Sequence, residues 1–106
     1  MPKYLLKVNY TAEGAKGLQK DGGTKRKQAA QALIEGLGGK LEAMYFAFGE
    51  TDVFAIADMP DSASMAAAAL AIGASGGTTG STTVLMTPEE VDQAVKKTTR
   101  YTPPGR

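Results

Sequence analysis

The chain contains neither cysteine nor histidine. The absence of cysteine excludes disulfide bonds, thiolate metal ligands and thiol nucleophiles. The absence of histidine removes the side chain that most often binds metals or acts as a general base in proteins. The acidic residues are scattered, and none of their spacings suggests a carboxylate metal site. The sequence therefore predicts no metal site and no bound cofactor.

A strong charge imbalance and a long apolar run are also missing. The 106 residues include 12 basic and 11 acidic side chains, a formal net charge of +1. No overall basic field therefore points to nucleic acid or to an anionic membrane surface. No apolar run approaches the roughly 18 residues that span a bilayer, and charge interrupts the N-terminal segment too soon for a signal peptide. We expect a soluble cytoplasmic protein.

The most informative stretch of the sequence runs from Gly38 to Asp61. An aromatic-rich strand over 40–48, a turn over 49–52 and an apolar strand over 53–58 predict a β-hairpin. Asp61 then predicts the cap of a helix. This continuous pattern indicates the architecture of the protein, but it does not indicate which molecule the protein acts on.

Further elements flank the predicted hairpin. They are a strand over 4–10, a short helix from Thr11 through Leu18, a helix after Thr24 that ends at Gly38, a strand over 81–86, and a helix from the Thr87 capping box to about Lys97. Helical spacing predicts buried positions Ala29, Ala30, Leu33, Ile34 and Leu37 in the first long helix, and Met65, Ala66, Ala69, Leu70 and Ile72 in the second.

The order β-α-β-β-α-β predicts a ferredoxin-like α+β fold. It consists of a four-stranded antiparallel sheet with two helices on one face and a short extra C-terminal helix. At this length the chain is expected to form one domain, which we assign to residues 1–97. Residues 98–106 lack any period and are expected to form a loose or partner-bound tail.

Both faces of the hairpin strands are apolar. The expected faces are Met44, Phe46 and Phe48 against Leu41, Ala43, Tyr45 and Ala47 in one strand, and Phe54 and Ile56 against Val53, Ala55 and Ala57 in the other. An antiparallel sheet with one face in water normally alternates polar and apolar residues. We therefore expect a second subunit to cover the face that the helices leave open.

The chain resembles the GYD family of small bacterial proteins over nearly its whole length. The segments that carry the resemblance are the strand Tyr4 to Tyr10 followed by Thr11 and Gly14, the run Gly38-Gly39-Lys40-Leu41, the turn Gly49-Glu50-Thr51-Asp52-Val53, and the helix start Met59-Pro60-Asp61. The resemblance implies ferredoxin-like units whose sheets face each other in a homodimeric α+β barrel. The family's turn usually has a tyrosine before the aspartate, where this chain has Thr51. The resemblance implies no particular activity.

The sequence also contains a match to a serine-hydrolase motif. Residues 73–77 match G-x-S-x-G, but that motif needs a preceding strand, a following helix and a histidine base. We interpret these residues as a helix-to-strand connection.

The run over 25–27, Lys-Arg-Lys, occupies a first helical turn, where acidic residues are preferred by roughly 0.3–1 kcal/mol each. A bound anion would relieve that cost, although we favour a solvated turn stabilised by other contacts.

The candidate ligand-binding residues are Lys7, Asn9, Arg26, Tyr45 and Asp52. We expect a site where the partly polar face of the first strand, with Lys7 and Asn9, meets the helix that carries Arg26. Tyr45 would join this site, and Asp52 would close the hairpin end, although hydrogen bonding to backbone N–H groups of the hairpin is the favoured role of Asp52. Such donors suit a small acidic or carbonyl-bearing organic molecule. No catalytic residue is assigned.

Two classes of function remain open at this stage. The first is a cofactor-independent binder of a small organic molecule, with or without enzymatic activity. The second is a non-catalytic assembly module whose apolar surfaces serve oligomerisation. Analogy with related barrel folds supports the first, whereas the absence of histidine, cysteine and metal ligands favours a pure binder or the second.

Overall fold

The fold is an antiparallel sheet with helices packed on one face. A computed structural model describes all residues, Met1–Arg106. Its elements are β1 (Lys3–Tyr10), α1 (Ala12–Asp21), α2 (Gly23–Gly36), β2 (Lys40–Phe46), β3 (Val53–Asp58), α3 (Ser62–Ala74), β4 (Thr78–Leu85) and α4 (Pro88–Val95). No helix is both long enough and apolar enough to cross a membrane.

The sheet has the strand order β2-β3-β1-β4, and every neighbouring pair is antiparallel. This order is the one that two β-α-β crossovers of the same hand produce, so the predicted ferredoxin-like α+β fold is confirmed. The hydrophobic core lies between the sheet and the helices α2 and α3. Its fully or nearly fully buried members are Tyr4, Leu6, Ile34, Leu41, Ala55, Ala57, Met59, Met65 and Ala68.

Side-chain caps begin three of the four helices, as the sequence predicts. The Thr11 hydroxyl accepts from the backbone N–H of Gly14 at 3.2 Å, and the Asp61 carboxylate accepts from Ser64 at 2.7 Å. Thr87 forms a reciprocal capping box at the start of α4. Each cap satisfies N–H groups that a helix leaves without an internal partner.

The first two helices begin and end at different residues from those predicted. Helix α1 continues to Asp21, because Gly22 alone, with φ of 81°, breaks the helical path. Gly23 already belongs to α2. A Cβ on Gly23 would lie 3.2 Å from the Phe46 ring, so the start of α2 approaches the end of β2 closely. The sequence signal, two adjacent glycines, does not distinguish which one breaks the helix.

A β-bulge in β2 corrects the predicted faces of that strand. Leu41 pairs with Ala57 and Met44 pairs with Ala55, with the register shift between Leu41 and Ala43. The extra residue returns Leu41 to the helix side, where it is buried, while Ala43 stays on the other side. The prediction that Leu41 shares a face with Ala43 and Tyr45 is therefore wrong.

The alanine-rich helix α3 also buries a different stripe from the one predicted. Met65 and Ala68 are buried and Ile72 is half-buried, whereas Leu70 is 73% exposed. At 100° per residue, Leu70 lies about 140° around the helix from Met65 and so points away from the sheet. Its neighbours in this helix are mostly alanines, so the sequence contains little contrast from which to find the buried side.

The sheet face away from α2 and α3, called the open sheet face below, is partly apolar. Cross-strand pairing places Tyr45, Phe54 and Lys7 in one row of this face, and Ala43, Ile56 and Leu5 in the next. Tyr45 is 72% exposed and Phe54 38%. The expectation that both faces of the hairpin strands are apolar is thus met, while pairing with a second subunit stays a prediction.

Helix α4 extends away from this body. All eight of its residues are exposed, including Val91 and Val95. The radius of gyration is 17.0 Å, against about 13 Å for a compact domain of this length. The difference reflects the projecting C-terminal segment.

Candidate functional site

An apolar cavity of about 140 Å³ lies between the sheet and the helices. Thirteen of its fifteen lining residues are hydrophobic. The lining comprises Leu6, Val8, Tyr10, Arg26, Ala29, Ala30, Leu33, Ile34, Leu41, Met44, Val53, Ala55, Ala57, Ile72 and Thr78. The cavity exists because small residues face it: alanines in α2 and β3 leave a volume that larger side chains would fill.

A second, polar cavity of about 220 Å³, called the polar chamber below, adjoins the apolar cavity. The two share Tyr10, Arg26 and Thr78 as lining residues. The other residues around the polar chamber are Glu13, Gly14, Gly17, Ser75 and Gly77. A cation and a phenol therefore lie at the boundary between an apolar space and a polar one.

The walls of the polar chamber are held together by contacts between α1 and the loop after α3. The backbone N–H of Thr11 donates to the Gly77 carbonyl at 3.0 Å, and the Thr11 hydroxyl donates to the Gly76 carbonyl at 3.0 Å. A Cβ on Gly14 would lie 1.8 Å from the Gly77 carbonyl oxygen. Only glycine fits at position 14 with the walls this close.

The environment of Tyr10 keeps its hydroxyl protonated. Burial raises the pKa of Tyr10 above its usual value of 10.0, and the negative charge of Asp52 raises it further. The nearby Arg26 guanidinium opposes this shift because it stabilises a phenolate. The balance is an upward shift, so Tyr10 presents a neutral hydroxyl to the cavities at neutral pH.

Arg26 lies near one acidic side chain, that of Asp21, but beyond hydrogen-bond distance from it. The Asp21 carboxylate lies 3.7 Å from the Arg26 guanidinium and 3.7 Å from the Lys25 ammonium. Asp21 is thus the nearby countercharge for the basic turn, which favours our interpretation that the turn is stabilised by other contacts. At 3.7 Å neither pair forms a hydrogen bond, so the guanidinium of Arg26 keeps donors for another acceptor.

Asp52 and Asn9 act together in joining the hairpin to β1. The Asp52 carboxylate accepts from the backbone N–H of Tyr10 at 2.9 Å, and the Asp52 backbone N–H lies 2.9 Å from the Asn9 side-chain oxygen. Asp52 therefore accepts from a backbone N–H, as predicted, but the predicted partner within the hairpin is wrong, because the N–H belongs to Tyr10 of β1. This network also occupies the Asn9 oxygen.

The five candidate ligand-binding residues do not form one cluster. Lys7 and Tyr45 lie on the open sheet face, with Phe54 between them in the same cross-strand row, and both are exposed. Arg26 lines the cavities on the opposite side of the sheet. The expected meeting of the Lys7 and Asn9 face with the Arg26 helix is wrong, because the helices cover the even-numbered face of β1. Whether any of the five binds a ligand remains a prediction.

Sequence reasoning missed three lining residues of this site. Tyr10 continues the alternation of Tyr4 and Leu6 along β1, a pattern that by itself predicts a core position. Its place at the end of β1, directly before the Thr11 cap, was the available signal that it lies at the rim. Glu13 and Thr78 line the polar chamber through tertiary packing, for which no local pattern exists.

Ser75, the central residue of the G-x-S-x-G match, is not placed as a nucleophile. Its hydroxyl donates to the Ile72 carbonyl at 2.7 Å and accepts from the Gly77 N–H at 3.3 Å. The segment connects α3 to β4, as interpreted from the sequence. Nor do any three acidic side chains lie close enough to hold a metal ion.

The fold and the cavities define a class: a small ferredoxin-like α+β protein with an apolar cavity on the helix side of its sheet. The GYD domain model matches residues 4–95, most of the chain. The protein therefore belongs to the GYD family. No curated protein and no solved structure matches the chain. The matched range includes both cavities and the projecting helix α4.

Proposed function

We propose that this protein binds a small acidic or carbonyl-bearing organic molecule in the apolar cavity, without a cofactor. The observation that carries the proposal is that Arg26 and Tyr10 lie where the apolar cavity adjoins the polar chamber, in a lining that is otherwise hydrophobic apart from Thr78. Ligand sites are typically apolar concavities in which a few polar groups fix orientation. Of the candidates derived from the sequence, Arg26 is the one that this proposal retains.

The dimensions of the cavity limit the apolar part of the ligand. At about 140 Å³, it is close to the roughly 150 Å³ of an apolar protein cavity that stays dry and admits benzene. A single ring or a branched chain of four or five carbons matches that space. Filling it removes apolar surface from water, which favours binding by roughly 25 cal/mol per Å² of apolar surface buried.

The polar groups shared by the two cavities favour an anionic head group on the ligand. The Arg26 guanidinium offers planar donors that match a carboxylate. The Tyr10 hydroxyl, which is protonated at neutral pH, adds a donor. Both groups can also donate to a neutral carbonyl, but only an anion gains from the positive charge.

Isothermal titration calorimetry with a pair of probes tests this proposal. 4-Methylpentanoate has a branched chain of suitable size and a carboxylate, while 4-methylpentanamide has the same shape without the charge. We expect the acid to bind about tenfold more tightly than the amide. Arg26→Gln should remove most of that difference, because the guanidinium supplies the charge.

Lys27→Gln is the matched control, since Lys27 is an exposed cation in the same helical turn that lines neither cavity. It should leave the preference for the acid intact. Equal affinities of wild type for the acid and the amide would exclude an acid-selective site, and failure of both probes to bind would refute the proposal.

The open sheet face supports a second candidate function, self-association as an oligomeric module. Phe54 and Tyr45 are exposed there beside the half-buried Leu5 and Ile56. A second copy laid on this face would bury these side chains and generate a dimeric α+β barrel. Self-association is compatible with ligand binding, because the apolar cavity lies on the other side of the sheet.

Sedimentation velocity at micromolar concentration tests the second candidate. We expect wild type to sediment as a species larger than the 11.0 kDa monomer and Phe54→Glu to shift it toward the monomer. Val84→Glu is the control, because Val84 is also exposed but belongs to the helix-side face of β4. A wild-type protein that sediments as a monomer would refute this candidate.

A further inference from the structure

We propose that the polar chamber is a subsite for an ammonium group, so that the ligand is an amino acid with a short apolar side chain or a similar amino-carboxylate. This inference rests on the proposed function and narrows its ligand class. The side chain would occupy the apolar cavity, the carboxylate would meet Arg26 at the boundary, and the ammonium would meet Glu13 in the polar chamber.

The charges around the polar chamber support this assignment. Glu13 and Arg26 are its only charged lining residues, and they have opposite signs. A simple carboxylate would gain from Arg26 but would be repelled by Glu13. A zwitterion has a complementary charge for each of them, which favours it over the simple acid.

The two aliphatic hydroxyls of the chamber, those of Ser75 and Thr78, are already engaged within the protein. The Ser75 hydroxyl donates to the Ile72 carbonyl at 2.7 Å, and the Thr78 hydroxyl donates to the same carbonyl at 3.3 Å. Glu13, by contrast, makes neither a side-chain hydrogen bond nor an ion pair. Its position in the first turn of α1 favours an acidic residue through the helix dipole, but the dipole leaves the acceptor capacity of the carboxylate available.

The chamber is also a preformed space. The hydrogen bonds of Thr11 to Gly76 and Gly77, with the close approach of Gly14, hold α1 against the loop that forms the opposite wall. Glu13 is adjacent to this fixed contact. Its carboxylate therefore needs little rearrangement of the backbone to meet a ligand, which limits the entropic cost of binding.

Three related probes test the inference by calorimetry: L-leucine, 4-methylpentanoate, which lacks the amino group, and isopentylamine, which lacks the carboxylate. We expect L-leucine to bind more tightly than either analogue. Glu13→Gln should weaken L-leucine binding about fivefold, the size expected for an exposed ion pair of about 1 kcal/mol. The same variant should leave the affinity for 4-methylpentanoate unchanged or slightly higher. Glu35→Gln, an equal charge change at an exposed residue outside both cavities, should alter neither.

The outcomes separate this inference from the proposed function. If 4-methylpentanoate binds as tightly as L-leucine, the ammonium subsite is refuted while the acid-binding cavity stands. A Glu13→Gln variant that weakens both ligands equally also refutes the subsite. If none of the three probes binds, both proposals fail.

Discussion

Replacing Gly14 with alanine perturbs the polar chamber at its tightest point. The added Cβ would lie 1.8 Å from the Gly77 carbonyl oxygen and 2.7 Å from the Gly77 carbonyl carbon. Carbon and oxygen atoms are in ordinary contact near 3.5 Å, so the walls must separate by about 1.7 Å. Both clashing atoms belong to the backbone, and no side-chain rotation can relieve the overlap.

The expected cost follows from the contacts that this separation breaks. The two hydrogen bonds from Thr11 to Gly76 and Gly77 are each worth about 1 kcal/mol net. Alanine recovers up to about 1 kcal/mol through helix propensity, less in a first turn such as this one. We expect a net loss of about 1–2 kcal/mol, which lowers Tm by roughly 5–15 °C for a domain of this size.

Gly17→Ala is the matched control for this prediction. Gly17 lies in the same helix, and nothing is within 4 Å of the Cβ it would gain. This variant should be neutral or more stable than wild type by up to about 1 kcal/mol. Thermal unfolding followed by circular dichroism compares the two. If Gly14→Ala were as stable as Gly17→Ala, the close packing of α1 against the loop would be refuted.

Two further predictions concern hydrogen-bonded carboxylates. Asp52→Ala leaves the Tyr10 N–H without its acceptor and should lower the free energy of unfolding in urea by about 1–3 kcal/mol. Asp52→Asn retains a side-chain oxygen and should lower it by less. Equal losses for the two variants would contradict the role of Asp52 as an acceptor for Tyr10. Hydrogen bonds from Ser64 lower the pKa of Asp61 below 3.8. The stability from this carboxylate is therefore present above pH 3.8 and lost as pH falls through its folded pKa. Asp61→Asn should flatten the acid limb of stability against pH, and an unchanged limb would refute the assignment.

Local signals in the sequence were sufficient to predict the fold. The caps at Thr11, Asp61 and Thr87 and the helix end marked by Gly38, whose φ is positive, could be predicted because each depends on one residue and its near neighbours. The ferredoxin-like antiparallel sheet followed from the order of the elements along the chain and the handedness of crossovers. Such features require no knowledge of distant packing.

The incorrect predictions concern strand faces and strand boundaries, which depend on pairing between segments that are distant in the sequence. The bulge between Leu41 and Ala43 is set by the partner strand β3, and a one-residue shift changes the face of every preceding side chain. Strand β4 begins at Thr78, earlier than predicted, because the end of β1 supplies backbone partners for its glycine- and threonine-rich start. Neither effect is visible in local composition.

The residues of the candidate site were also incompletely predicted, because tertiary structure brings them together. Lys7 and Arg26 were grouped because both are cations near an apolar surface, but the sheet itself separates them. Tyr10 and Glu13 come to Arg26 through the fold of α1 and α2 around Gly22, which only the three-dimensional structure reveals. The charge complementarity of the chamber is therefore a tertiary property.

Methyl NMR of the protein during titration with 4-methylpentanoate tests the central claim most directly, because it locates the ligand on one side of the sheet. Leu33, Ile34 and Ile72 line the apolar cavity, whereas Leu5 and Ile56 belong to the open sheet face. We predict saturable shifts in the methyl resonances of the cavity residues, with those of the open sheet face unchanged. Shifts confined to Leu5 and Ile56, or none at all, would contradict the account.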